Sequence, residues 1–302
     1  LTIPEDVNTL MPAGTKYADY ANVHNYICRK PQIIDNMAWV NADPLFHGWT
    51  DSIYVEYGKT WRKGFAGYSN AELLTLSRVT TETGWVTGGE KGLTQEQQGR
   101  LYLNMYMAQF KQGFKHTFIY MLRDAGGSDA GYGIVERDYK PKKSATYLHN
   151  LTTILSDKGV AKPGKLDYAI ANKPETLHDL LLRKSNGMFE LVVWNEKASG
   201  TDRVTVKLGD TYGAVKVYDP TISVAPTERL RDVDSVSLEL SDHPVSLRFD
   251  VDLPPAGGGT GRYEQVVGEL AHSERPEPVE RGESTPGERG RGFAYGVRDE
   301  AG

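Results

Sequence analysis

The feature that most constrains this chain is a change of hydrophobic period at Lys162-Pro163-Gly164. Upstream, from 17 to 157, strand-like and helix-like segments alternate. A strand over Tyr17–Tyr26 is followed by Ile53, Tyr57, Trp61 and Phe65 at helical steps between Thr50 and Tyr68, and then by an apolar strand entering Glu82. Thr94 and Gln97 have capping-box spacing, and Leu103, Met107, Phe110 and Phe114 line one face of the predicted helix behind them. A strand His116–Leu122 follows, and Pro141 opens a last helix with Tyr147, Leu148, Leu151, Ile154 and Leu155 on one side. Such alternation is the pattern of a parallel sheet covered by helices. Downstream the segments are short and several alternate with period two: Leu180–Leu182, Phe189–Trp194, Val204–Leu208, Ala214–Tyr218, Val236–Leu240 and Val245–Phe249. They predict an antiparallel β-sandwich of roughly 90 residues.

The expected domains are therefore 1–160, α/β, and 161–251, all-β. Residues 252–302, rich in Gly, Pro, Glu and Arg and free of Lys, are expected to be a disordered tail. That tail holds ten acidic residues against six Arg, a net of −4 out of the chain's −5, so the body is nearly neutral. No basic surface of the kind that nucleic acid requires is present, and no run of about 18 apolar residues predicts a membrane span. Cys28, the only cysteine, rules out an internal disulfide and a multi-cysteine metal site; its expected role is that of a small buried hydrophobe. The sequence starts Leu1-Thr2-Ile3-Pro4, without Met, basic start or apolar signal core, and so looks cut or processed at its front.

Chemistry is expected at strand ends. In Leu73–Trp85, apolar and β-branched residues lead into Glu82, and Gly84 breaks the run, placing a single carboxylate where a buried strand meets a loop. In barrels of alternating strands and helices such positions point into the active site, although the same letters describe a strand ending in a solvated Glu. His24 and Tyr26 share a face by the two-residue repeat and can orient a carboxylate, or can be core residues with satisfied polar tips. Trp39, Phe46, His47 and Trp49 lie among turn formers, read as a loop whose rings stack on a flat ligand or as a packed satellite cluster.

A strand ending His24-Asn25-Tyr26, a strand ending Thr81-Glu82-Thr83-Gly84-Trp85, a strand ending Tyr120-Met121-Leu122-Arg123-Asp124, a helix after Pro141 and then a β-sandwich resemble, over roughly residues 17–250, the C-terminal half of a clan A retaining glycoside hydrolase. The resemblance implies the last three or so βα units of a (β/α)8 TIM barrel, hydrolysis of O-glycosyl bonds of a poly- or oligosaccharide, no cofactor and no metal, and a secreted or periplasmic parent. It makes Glu82 the nucleophile and Tyr26 the phenol that positions it, with His24, Trp85, Tyr120, Arg123 and Asp124 binding substrate. A retaining enzyme needs a second carboxyl about 5–5.5 Å from the first. In the family this is a Glu preceded by Asn, and no Asn-Glu pair precedes Glu82 here. Asn195-Glu196 has the letters but falls inside the predicted sandwich. Tyr120 and Arg123-Asp124 stand where the family often has a Trp. Negligible hydrolysis is therefore expected of this chain alone, and an open half barrel leaves strand edges free to associate. The alternative expectation is a non-catalytic carbohydrate-binding or interaction module.

Overall fold

The computed structural model of the chain describes residues 14, 16, 19–27, 33–43, 75–90, 92–160 and 164–249. Cys28, Phe46, His47, Trp49, the helix expected over 50–68 and the tail from 252 lie outside them. Among the described residues the chain is mixed, with three sheets, two of them antiparallel.

The parallel sheet has the order β1 (Tyr20–Val23), β2 (Ser77–Thr83), β3 (Phe114–Ile119). Tyr20 to Val23 pair in step with Ser77 to Thr80, and the β2–β3 register shifts between Thr80 and Thr83, at the end that carries Glu82. Among the described residues three α-helices accompany the sheet: α1 (Met37–Ala42), α2 (Gln95–Lys111) and α3 (Lys143–Leu155). The capping box read from the sequence forms. The Gln97 N–H donates to Thr94 Oγ1 at 3.1 Å and the Thr94 N–H to Gln97 Oε1 at 3.0 Å, satisfying donors that would otherwise be orphaned, for about 1 kcal/mol.

Helix α2 is buried on two sides, which a single apolar stripe does not foretell. Leu101, Tyr102, Met105 and Ala108 pack with Met37, Ala38 and Ala42 of α1, whereas Leu103 and Met107 pack with Tyr147 and Leu151 of α3. Phe110, expected on the buried stripe, is exposed in the last turn, and Phe114 belongs to β3. Gly99 permits the α2–α3 approach: a Cβ there would lie 2.5 Å from the Tyr147 ring. Helix α3 begins at Lys143, after Pro141, with Tyr147, Leu151 and Ile154 buried as expected.

The antiparallel part has a three-stranded sheet β10-β7-β4 and a five-stranded sheet β5-β6-β11-β8-β9. The strands are β4 (Tyr168–Ala171), β5 (Leu177–Arg183), β6 (Phe189–Asn195), β7 (Asp202–Tyr212), β8 (Val215–Tyr218), β9 (Glu228–Leu230), β10 (Val233–Leu240) and β11 (Pro244–Phe249). All six segments expected from the sequence are strands; β4 and β9 carry no readable alternation. Val204, Val206, Val236, Leu238 and Leu240 of one sheet share an apolar cluster with Leu191, Val193, Val215, Leu247 and Phe249 of the other. The opposite face of β6, Val192 and Trp194, packs on α2 and α3. A strand covered on both faces needs an unbroken apolar run, and Phe189–Trp194 supplies one, interrupted only by Glu190. Glu190 is fully buried against the Arg248 Nε at 2.7 Å and the Lys184 Nζ at 3.4 Å, and it accepts from the Ser246 hydroxyl. Lys184 Nζ and Arg248 Nη2 also donate to the Ile154 carbonyl, placing two cations at the negative C-terminus of α3.

The aromatic loop expected over 31–49 is corrected in part: residues 37–42 are helical, and Trp39 is a packing residue. Its ring stacks on His178 at 4.1 Å with 14° between planes and lies 6.3 Å from Trp194. Of the two readings the packed cluster is the one observed for Trp39.

Candidate active site

The candidate site stands where β1 and β2 end side by side. Glu82 is the penultimate residue of β2 and about two fifths of its side chain is exposed. Tyr26, fifty-six residues earlier, donates its phenolic hydrogen to Glu82 Oε2 at 2.8 Å. Burial, then the bond to Glu82 and its negative charge, hold the Tyr26 phenol far above the usual tyrosine range. It therefore stays a donor at any ordinary pH, and the bond fixes one carboxylate oxygen. Among the described residues no hydrogen bond reaches Oε1.

His24 sits on the same carboxylate. Its Nδ1 is 3.6 Å from Glu82 Oε2, beyond hydrogen-bond length, while its Nε2 is 2.9 Å from Thr81 Oγ1. Asn22 completes this row on β1: its Oδ1 accepts the Thr81 N–H at 3.1 Å, a position in the ladder that β3 leaves unpaired at the register shift. On the other side, the Thr83 hydroxyl donates to the Asn25 carbonyl at 2.9 Å, fastening the end of β2 to the turn that carries Tyr26. Asn25 Nδ2 donates in turn to the Asn41 carbonyl in α1.

Gly84 follows with φ 142°, and a Cβ there would lie 2.6 Å from the Tyr102 hydroxyl and 2.8 Å from the Tyr120 carbonyl. No other residue fits between those groups without displacing the strand end. Trp85 is then tied down by its main chain. Its N–H donates to the Tyr102 hydroxyl at 3.0 Å, and its carbonyl accepts from Gln98 Nε2 at 2.7 Å. That leaves the half-buried indole facing Tyr132.

Tyr132 was not among the residues singled out from the sequence, yet three of the expected site rings meet at it. Tyr26, Trp85 and Tyr120 approach it edge-on with centroids at 6.4, 6.3 and 5.7 Å. No local signal marks it beyond the glycines on either side, Gly131 and Gly133. Partial desolvation, then a hydrogen bond to Asp129 and the charges of Asp129 and Glu82, raise the Tyr120 phenol above its ordinary range. Tyr120 is thus within electrostatic reach of Glu82, and the Tyr120–Met121 peptide that follows it is cis.

Arg123 and Asp124 are placed differently. Both Asp124 oxygens are engaged by the ammonium of Lys142, at 2.9 and 2.8 Å, and Oδ1 also accepts the Gly133 N–H. Lys142 itself is almost wholly buried and donates further to Thr87 Oγ1 and the Gly131 carbonyl. This pair pins the Tyr132 loop to the start of α3, a supporting task for Asp124. Arg123 turns to Tyr139, its guanidinium 4.6 Å above the ring and Nη1 2.5 Å from the hydroxyl.

Glu196 does not join the site. Its carboxyl is 4% exposed, accepting the Trp39 N–H at 2.8 Å and the Trp194 indole N–H at 3.0 Å. Burial pushes it up to about 7, against smaller lowering by those donors. A carboxyl with this titration can look catalytic, but this one is enclosed by packing residues. Among the described residues no group of three His, Cys, Asp or Glu could hold a metal ion, and no helix is long and apolar enough to cross a membrane.

No model of a protein family matches the chain, and no curated protein does. Among solved structures it is similar to a family 39 glycoside hydrolase from the gut symbiont Bacteroides cellulosilyticus, at 16% identity and a TM-score of 0.45, over 58% of this chain and 34% of that one. A GH51 arabinofuranosidase from Xanthomonas axonopodis pv. citri matches at 14% identity and a TM-score of 0.42, over 77% of this chain and 53% of that one. A glucosidase from Croceicoccus marinus matches at 10% and 0.38, with the same two coverages. The solved structures that the chain resembles are glycoside hydrolases, and it spans about a third to about half of their length. At these identities and TM-scores the likenesses assign it no activity.

Proposed function

We propose that this chain carries the nucleophile side of a retaining glycosidase site, with Glu82 as nucleophile and Tyr26 as its positioning phenol. The observation that carries this reading is the 2.8 Å bond from Tyr26 to Glu82, made between the ends of adjacent parallel strands. In this reading residues 1–160 are the last βα units of a (β/α)8 barrel, 161–251 a β-sandwich, and 252–302 an appended tail. Carbohydrate is the substrate, with His24, Trp85 and Tyr120 lining its site, Asp124 supporting the loop behind it and Arg123 engaged with Tyr139.

The chemistry follows from the geometry. Glu82 Oε1 attacks the anomeric carbon while the bond to the leaving oxygen breaks, and the electron pair departs with the aglycone. Tyr26 keeps Oε2 still as the glycosyl ester forms: the carboxylate charge is lost, Oε2 becomes the ester carbonyl, and the phenol goes on donating to it. A poor leaving group also needs a proton, and general acid help is worth roughly 10²- to 10⁴-fold. No Asn-Glu pair precedes Glu82 in the sequence, so in this reading ordinary glycosides are turned over negligibly by this chain alone.

The rival reading, a carbohydrate-binding module built on the antiparallel sheets, has less support, because Phe189, Trp194 and Phe249 are buried there and present no face to a sugar. The test is covalent trapping. A 2,4-dinitrophenyl 2-deoxy-2-fluoroglycoside leaves without protonation, and its fluorine slows hydrolysis of the ester. The expected result is one fluoroglycosyl unit on the peptide containing Glu82, absent in Glu82→Gln. No labelling with a panel of gluco-, galacto-, xylo- and arabino-configured reagents would overturn the proposal.

A further inference from the structure

Tyr139 is the one described aromatic that is both held in an unfavourable backbone conformation and displayed to solvent. Its φ is 70°, in the left-handed region that a bulky non-glycine residue seldom adopts, and it is 69% exposed. The turn that imposes this is closed by two backbone bonds, from the Tyr139 N–H to the Glu136 carbonyl at 2.9 Å and from the Glu136 N–H to the Lys140 carbonyl at 2.8 Å. An outlier held this firmly is a reason to ask what the side chain does.

Arg123 answers for one side of the ring. Its guanidinium lies 4.6 Å from the ring centroid and also reaches the hydroxyl, so one face is covered and the ring is fixed in position. The residue as a whole is 69% exposed, so the ring surface that Arg123 does not cover is open to solvent. A flat, immobilised aromatic face backed by a cation is a platform for the axial C–H edges of a pyranose ring, because ordering cost has already been met within the protein. Its place is also telling. Arg123 is three residues after Tyr120, at most about 10 Å along the chain, and the rings of Tyr120 and of Tyr26, which bonds Glu82, both meet Tyr132.

We infer that Tyr139 is an outer sugar subsite, a stacking platform for a pyranose unit of an oligosaccharide whose other end reaches Glu82. The inference rests on the glycosidase reading and deepens it, since it makes the substrate a chain of several sugars. Arg123 acts through Tyr139 as a positioning residue and does not itself touch the sugar.

The test uses isothermal titration of the full chain with cellobiose, laminaribiose and xylobiose and with the corresponding pentasaccharides. For at least one series the wild type should bind the pentasaccharide about tenfold more tightly than the disaccharide, the worth of one aromatic contact. Tyr139→Ala and Tyr139→Gly should each remove that gain and leave disaccharide affinity unchanged, while Tyr139→Phe keeps most of it. Tyr139→Gly relieves the left-handed backbone while losing the Arg123 contacts, so a melting temperature close to that of wild type is expected and shows that loss of binding in that variant is not loss of folding. Wild-type pentasaccharide affinity in Tyr139→Ala, or no binding of any pentasaccharide by the wild type, overturns the inference. Fluoroglycoside labelling of Glu82 that persists in these variants leaves the glycosidase reading standing; absent labelling in the wild type removes both.

Discussion

Glu196 should make this chain lose stability as the pH rises, and its removal should abolish that loss. The carboxyl has an ordinary value of 4.5 and is raised to about 7, chiefly by burial. A folded state that holds a proton more tightly than the unfolded state is favoured where the proton is bound. The stabilisation is therefore complete below about pH 4.5 and lost as the pH climbs through about 7. At about 1.4 kcal/mol per unit, the difference between the two ends of that window is roughly 3 kcal/mol. The ionised form still has the Trp39 and Trp194 donors, which is why the rise stops near neutrality.

Other groups titrate in the same range. His178 is lowered to about 4 by burial and then by Lys173 and Lys111, so it favours the neutral ring and costs stability as the pH falls below 6.5, the opposite sense. His243 is raised by Asp219 and Asp242 against the effect of its burial, and its contribution fades as the pH rises. The informative quantity is therefore the difference between wild type and Glu196→Gln, in which these groups cancel. Against wild type with Glu196 protonated the variant loses about 1–3 kcal/mol, because an amide N–H₂ faces a donor where an oxygen accepted, and that cost does not itself change with pH. Urea unfolding at pH 5 and pH 8 should show the stability gap shrinking by roughly 3 kcal/mol at the higher pH. Parallel curves would refute the reasoning and mean that Glu196 is ionised and solvated in the folded chain.

Two further outcomes follow from the site. Tyr26→Phe removes a hydrogen bond to a carboxylate, worth about 1.5–3 kcal/mol, so the rate of fluoroglycoside labelling at Glu82 should fall about 10- to 100-fold with an unchanged circular dichroism spectrum. Lys142→Met should cost about 3–5 kcal/mol in chemical unfolding, because it strands the Asp124 carboxylate in a mostly buried place, and Asp124→Asn in the same chain should recover a large part of that loss.

How much of this the sequence disclosed depends on the range over which each signal acts. Period, caps and breakers are local, so the α2 capping box, the last helix and six of the eight antiparallel strands were legible. Strands β4 and β9 were not: Tyr168–Ala171 reads Tyr-Ala-Ile-Ala with no polar position to alternate, unlike the equally short β8, and Glu228–Leu230 is only three residues. Helix α1 hid among turn formers because its stability comes from what it docks on: Glu196 accepts the Trp39 N–H and His178 stacks on the Trp39 ring. Helix α2 was read as one-sided although it packs on α1 along one stripe and on α3 along another, a fact of assembly that a periodic pattern cannot encode.

The site divides along the same line. The strand break at Glu82 and Gly84 was legible, but the residues alone left Glu82 open between a site and a solvated end, and only the resemblance paired it with Tyr26, whose hydroxyl bonds it. Their meeting depends on contacts without a local signature: the Thr83 hydroxyl on the Asn25 carbonyl, the Tyr102 hydroxyl on the Trp85 backbone, the buried Lys142 holding the Tyr132 loop. Asp124 shows the consequence. Polar residues just past a strand end are equally placed to touch a ligand or to tie down the loop that does, and one buried ammonium decides the matter. The adjacent Arg123 then turns away to Tyr139. The useful expectation at a strand end is therefore a pair of roles, with the partner found in space, and the exposed face of Tyr139 is where that reasoning leads here.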